Sequence, residues 1–281
     1  MFFDKYTGEK TAGDLDSKLV DSLRENSRTF YIPVMKLEGD LRAAVAASYL
    51  GFRAIDEIED HPELPADTKQ GLLLNLASYL TESVETRADK IERLLSDYQT
   101  RIPQVSLDLN LWIDALPSMV APRALSEIST MAARMAYWVG RDWRIDTESD
   151  LDQYTFAVAG AVGLLLTDLF AWYTGANADY RLAVQFGQGL QAVNILLNRA
   201  DDLKQGRDFF PDGWGNDELH KYALARLQGG RDYFDLMSNK MIKDAFTIPL
   251  DLAFASLEVF MKLGRKLTRE EVVEICRDLY I

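Results

Sequence analysis

The sequence predicts an all-α fold in one domain spanning residues 1–281, and three observations carry that expectation. Apolar residues recur at three- and four-residue spacing almost throughout, while strict alternation over strand-length windows is rare; a 3.6-residue period marks amphipathic helix. The 281 residues are 48% hydrophobic, enough to bury one large core. The 8 prolines and 17 glycines are spread along the chain, and no Ser/Gly-rich or low-complexity tract marks a domain boundary.

The first helix is expected at residues 14–25. The second, residues 39–60, carries Leu41, Val45, Phe52 and Ile55 as apolar members and is stopped by Pro62 and Pro65 just after His61. Periodic stretches follow at residues 66–83, 86–98, 106–116, 123–143 and 150–173. Residues 179–204 form a helix with Leu190, Val193, Ile195, Leu196 and Leu197 on its apolar faces, and Pro211-Asp212-Gly213 breaks the chain beyond it. Residues 216–238 and 248–263 continue the pattern. The last helix, residues 269–280, opens on Thr268-Arg269-Glu270-Glu271, a cap with acid in the first turn.

The charge balance of 31 basic against 44 acidic residues, net −13, opposes sequence-independent attraction to phosphate backbones, so no nucleic-acid partner is expected. A single cysteine, Cys276, makes no internal disulfide, and His61 and His220 alone do not build a zinc site of the usual kind. The N-terminal stretch MFFDKYTGEK shows no basic segment followed by an apolar run. The longest apolar run, residues 156–167, is about half the ~20 residues a spanning helix needs. The expectation is a soluble, cytoplasmic protein without a transmembrane anchor; its oligomeric state is left open.

Two helix ends carry chemistry. In YLGFRAIDEIED, Tyr49, Arg53, Asp56 and Asp60 are spaced four, three and four residues apart and share one face. Carboxylates one turn apart repel by ~0.2–0.5 kcal/mol on a free helix, and a helix C-terminus favours positive charge. A hard divalent cation offsets that repulsion, because Mg²⁺ takes carboxylate oxygens and completes its octahedron with water and phosphate. A solvated acidic face is the alternative, but it has no need of Tyr49 and Arg53 in line with the acids.

The second constellation is Gln188, Gln191, Asn194, Asn198 and Asp202, again at three- and four-residue steps. Such a stripe is either a satisfied buried hydrogen-bond ladder or the lining of a site. Two stripes, each ending in acid, favour a site between facing helices. Bare carboxylates exclude diphosphate, at ~4 kcal/mol per unit-charge pair 4 Å apart in an effective dielectric of 20. Bridging Mg²⁺ inverts that sign and neutralises a leaving diphosphate.

With these residues in view, the chain resembles the squalene/phytoene synthase family of isoprenyl diphosphate synthases. Ser27-Arg28-Thr29-Phe30 resembles its Ser-x-Ser/Thr-Phe segment, and YLGFRAIDEIED its Tyr-x-x-x-Arg-x-x-Asp-x-x-x-Asp motif. Asp152-Gln153-Tyr154 leading into Val158-Ala159-Gly160-Ala161-Val162-Gly163 resembles its third motif, and QAVNILLNRADDLKQGRDFFP its fourth, with a trailing Gly-Arg-x-x-x-Pro.

The resemblance implies an isoprenoid-synthase-type helical bundle around a central cavity, with acid motifs facing each other and Mg²⁺ between them and the substrate diphosphate. It implies Asp56, Asp60 and Asp202 as metal ligands, and the spacing adds Asn198, one turn before Asp202, as a neutral amide ligand, with a cap or bridge to buried backbone as its alternative. It implies Ser27, Arg53, Gln191, Asn194 and Arg199 as contacts to diphosphate or its waters, and Tyr154, with Arg53 and Tyr49, as catalytic, Tyr154 facing the carbocation. One departure stands out: Leu197-Asn198 replaces the family's Arg-Asp, removing one negative charge and one guanidinium. The expected activity is ionisation of an allylic isoprenyl diphosphate (C10–C20) and coupling of the carbocation to an acceptor, by default a second prenyl diphosphate. The alternatives are an aromatic acceptor, release of the prenol by water, and a non-catalytic assembly or binding homologue.

Overall fold

The computed structural model describes residues 17–27 and 30–280. Residues 14–16 of the first expected helix, and Arg28 and Thr29 of the Ser-x-Ser/Thr-Phe segment, lie outside the described residues. In chain order the helices are α1 (Ser17–Asn26), α2 (Tyr31–Lys36), α3 (Gly39–Glu59), α4 (Ala66–Tyr79), α5 (Val84–Ser96), α6 (Gln104–Leu107) and α7 (Leu109–Asp114). They continue with α8 (Ala121–Gly140), α9 (Glu148–Thr155), a π-helical turn (Phe156–Gly160), α10 (Ala161–Thr174), α11 (Tyr180–Lys204), α12 (Asn216–Asp235), α13 (Lys240–Leu263) and α14 (Arg269–Tyr280). No strand occurs among the described residues.

One large core joins most of these helices. Helix α3 buries residues on most of its circumference, including Leu41, Val45, Leu50, Ile55 and Ile58, so its polar stripe is a seam in an otherwise apolar cylinder. Helix α11 packs closely on α12 and on the π turn and α10. Glycine makes this possible: a Cβ on Gly163 would stand 2.2 Å from the Ala183 carbonyl oxygen, and one on Gly187 2.3 Å from that of Ala159. These backbones touch, which sets the π turn directly against α11.

Several expected boundaries shift for physical reasons. Residues 106–116 form two short helices, α6 and α7, that meet at Asp108. The stretch expected at residues 150–173 starts earlier, at Glu148, because Thr147 and Asp150 close a capping box, and it is interrupted by the π turn. Helix α13 begins at Lys240, capped by the Asn239 side chain, and runs through Pro249, which packing holds inside the helix. The expected helix 123–143 stops at Gly140, and Asp142 and Trp143 take left-handed φ values of 54° and 51°. Glu148–Thr174 is long and apolar enough to cross a membrane by length and composition, but 56% of its apolar window is buried, as in a core helix.

Candidate active site

The stripes of α3 and α11 face one cavity of about 480 Å³. Tyr49, Arg53, Asp56 and Asp60 enter it from α3 and its C-terminal cap, and Gln191, Asn194, Asn198 and Asp202 from α11. Ser27, just past α1, and Tyr154, in the last turn of α9, complete the lining. Gln188 of the α11 stripe is buried instead and donates to the Asp152 carbonyl at 3.0 Å, and Arg199 too is not part of that lining. Its guanidinium donates to Asp208 at 2.9 Å and lies 3.7 Å over the Phe210 ring, which fixes the chain after α11.

The last turn of α3 adds an acid that the stripe spacing missed. Ligand oxygens of Asp56, Glu59 and Asp60 all lie within 4.8 Å of one another. Glu59 is 3% exposed, and burial followed by the charges of Asp60 and Asp56 pushes its carboxyl well above the ordinary glutamate value. Burial and the charge of Asp60 push Asp56 up to about 7, and the same two causes push Asp202 up to about 6. The mouth is therefore a place where negative charge is crowded and short of compensation. Its donors are all hard oxygens, the set that suits Mg²⁺.

A cationic and aromatic bracket holds this cluster. Arg53 pairs with Asp56 and Glu57 along α3. Arg207, 11% exposed, donates to Asp60 at 3.0 Å and lies 3.7 Å over the Trp143 ring, tying the segment after α11 to the end of α3. The Trp143 indole N–H donates to Glu59, and Lys69 donates to the Glu59 carbonyl at 2.7 Å. The left-handed backbone at Trp143, unusual for a bulky residue, turns the indole inward onto Glu59. Sequence reading missed Glu59, Arg207 and Trp143 as site residues; the trailing Gly206-Arg207 was the available signal for the second of them.

Two further features bear on what the cavity could hold. The Ser27 Oγ and Arg53 Nε atoms are buried and have no hydrogen-bond partner, though both residues line the cavity. Buried donors are normally satisfied, and these two stand beside the cavity without a protein partner. Behind the mouth lies an apolar pocket of about 250 Å³, walled by Phe52, Met131, Val162, Leu166, Phe186 and Leu190. The polar cavity and the apolar pocket share Tyr49, Arg53, Asp56, Val158 and Gln191, so the two adjoin. Val158 belongs to the π turn, a backbone irregularity frequently found at functional sites.

Tyr154 is 5% exposed, stacked on Phe209 at 4.8 Å and edge-on to Trp138 at 5.4 Å. Burial, then the nearby Glu59, Asp60 and Asp56, holds its phenol well above the ordinary tyrosine value, so it stays neutral. Tyr49 stacks on Phe30 at 5.1 Å. The neighbouring Asp152 side chain instead accepts from Tyr222 at 2.7 Å and Arg226 at 2.6 Å, anchoring α9 to α12.

Residues 23–277 match the family model for squalene/phytoene synthase. The chain is 30% identical over 268 residues to the squalene synthase of Mus musculus, covering 84% of this chain and 61% of that protein. It thus spans about three-fifths of the length of that curated relative. Among solved structures, TcSQS in complex with the ligand E5700 superposes with a TM-score of 0.76 at 20% identity, over 94% of this chain and 85% of that one. A dehydrosqualene synthase in complex with ligand gives 0.64 at 18% identity, over 93% and 94%. The helical fold is thus shared with those structures, and the match over residues 23–277 shows that the chain belongs to the squalene/phytoene synthase family.

Proposed function

We propose that this chain is a Mg²⁺-dependent prenyltransferase that ionises an allylic isoprenyl diphosphate and couples the carbocation to a second prenyl diphosphate. The observation that carries this reading is a polar cavity, with three carboxylates within 4.8 Å, adjoining an apolar pocket that shares five of its lining residues. A substrate with a charged head and a hydrocarbon tail fits that division. Family membership supports the reaction class.

Asp56, Glu59 and Asp60 would hold Mg²⁺ from the α3 side, with Asp202 approaching from α11. When bound, Mg²⁺ neutralises the diphosphate that leaves with the electron pair of the broken C–O bond. Ser27 and Arg53, both in the cavity lining, would donate to the diphosphate oxygens. Tyr154, neutral and buried, offers its ring face and hydroxyl oxygen to the allylic cation without trapping it as a phenolate. The apolar walls of the adjoining pocket would take the hydrocarbon tail.

A second reading, transfer to an electron-rich aromatic ring, is favoured by Asn198, which stands where a carboxylate would help hold metal for a second diphosphate. Incubation with C10, C15 and C20 allylic diphosphates, with and without Mg²⁺ and added acceptors, separates the readings. A hydrocarbon made from two donors supports the first, and a product formed only with an aromatic acceptor supports the second. Prenol alone, or no Mg²⁺-dependent diphosphate release, overturns both.

A further inference from the structure

The two sides of the mouth are built differently. On α3, three carboxylates converge. On α11, the position one turn before Asp202 is Asn198, and its amide is fully engaged. Its Nδ2 donates to the Asn194 carbonyl at 2.9 Å and to Asn194 Oδ1 at 2.6 Å, while its Oδ1 accepts from Lys266 Nζ at 2.5 Å. These partners fix the orientation of the amide, because the opposite one would set its N–H groups against an ammonium. The same ammonium stands 3.9 Å from Asp201. Lys266 lies between α13 and α14, just after Gly264 turns the chain with φ 68° and beside Arg265, which is held to Glu271 at 2.7 and 2.8 Å.

We propose that Lys266 is the resident cation of the α11 side: its ammonium occupies the Asn198 oxygen that, one turn before Asp202, would otherwise face a divalent ion. The inference rests on the metal-dependent diphosphate reading above and deepens it. A divalent ion on the Asn198 oxygen and the Lys266 ammonium would be like charges in contact, so the two exclude each other. The α11 side therefore binds one exchangeable metal fewer than a two-carboxylate version of the same turn, and it carries a tethered positive charge beside the diphosphate cavity instead. A carboxylate placed at position 198 pairs with Lys266 before it binds metal.

The test is Mn²⁺ stoichiometry, read by the loss of free-ion paramagnetic resonance signal in the presence of inorganic diphosphate, on the full chain. The forms compared are wild type, Asn198→Asp, Lys266→Met and the double variant. Asn198 and Lys266 meet at the surface, and melting temperatures report that each form is folded. The account expects Asn198→Asp to keep the wild-type stoichiometry and melt higher, and the double variant to bind one additional Mn²⁺ per chain. Lys266→Met alone weakens diphosphate binding with Mn²⁺ by about tenfold, the loss of one charge-assisted contact, and Lys266→Arg restores it. An extra Mn²⁺ in Asn198→Asp alone, no extra ion in the double variant, or diphosphate binding unaffected by Lys266→Met overturns the proposal. A wild type that takes up no Mn²⁺ with diphosphate overturns the underlying metal reading and this inference with it.

Discussion

Replacing Glu59 by Gln separates a metal site from a structural acid, because the two roles give opposite signs of stability change. The substitution keeps the shape and the acceptor for the Trp143 N–H, and the new amide can donate to Asp56 or Asp60. Two unit charges 4.8 Å apart in an effective dielectric of 20 repel by ~3 kcal/mol. Burial raises Glu59, and Asp56 is pushed up to about 7, so at neutral pH the cluster retains protons and only part of that repulsion is realised. Removing the charge relieves on the order of 1–2 kcal/mol in the metal-free protein. Thermal unfolding should therefore move up by about 2–6 °C without metal. The same variant should lose most of the Mg²⁺-induced rise seen in the wild type, since that rise reports binding to the folded state alone. The assay is a melting curve at several Mg²⁺ concentrations. A Glu59→Gln protein that melts lower without metal, yet keeps the full Mg²⁺ response, refutes the reasoning and makes Glu59 an anchor for Trp143.

Asp56→Asn and Asp60→Asn should each lower donor ionisation by orders of magnitude while circular dichroism shows an intact helical fold, because removing negative charge near a helix C-terminus does not harm the helix. Tyr154→Phe should reduce coupled product more than diphosphate release, measured side by side, since the phenol acts on the cation and not on the leaving group. The pH dependence follows from Asp56, whose folded value of about 7 lies above its ordinary 3.8. Its contribution to stability is full below about 4 and is lost as pH rises through about 7, so the metal-free protein should melt lower across that window. Mg²⁺ needs the ionised carboxylate, so calorimetry should show affinity tightening over the same range and levelling above it. Arg199→Met should cost stability of about 1 kcal/mol or less, through its half-exposed pair with Asp208, and leave diphosphate affinity unchanged.

What the sequence made legible was local in character. The steps from Tyr49 to Asp60 and from Gln191 to Asp202 are set by helical period, so both stripes appear in the fold as facing seams of one cavity. Glu59 was passed over because attention to the four-three-four stripe skipped a residue that the last turn of α3 brings beside Asp56 and Asp60. Arg207 and Lys266 reach their partners Asp60 and Asn198 across 147 and 68 residues, pairings that no local period encodes. Trp143 was assigned to a helix that ends at Gly140, and only the left-handed backbone of Asp142 and Trp143 brings its indole to Glu59. The π turn was invisible for a related reason: it arises where the backbones of residues 159–163 and 183–187 touch. Arg199 shows another non-local placement, since tertiary structure gives it Asp208 and Phe210 as partners.

Isothermal titration of the full chain with a non-ionisable allylic diphosphate analogue, in the presence and absence of Mg²⁺, tests the central claim most directly. The account predicts saturable binding that requires Mg²⁺, and its loss in Asp60→Asn. Binding that is equally tight without metal, or none under either condition, would contradict it.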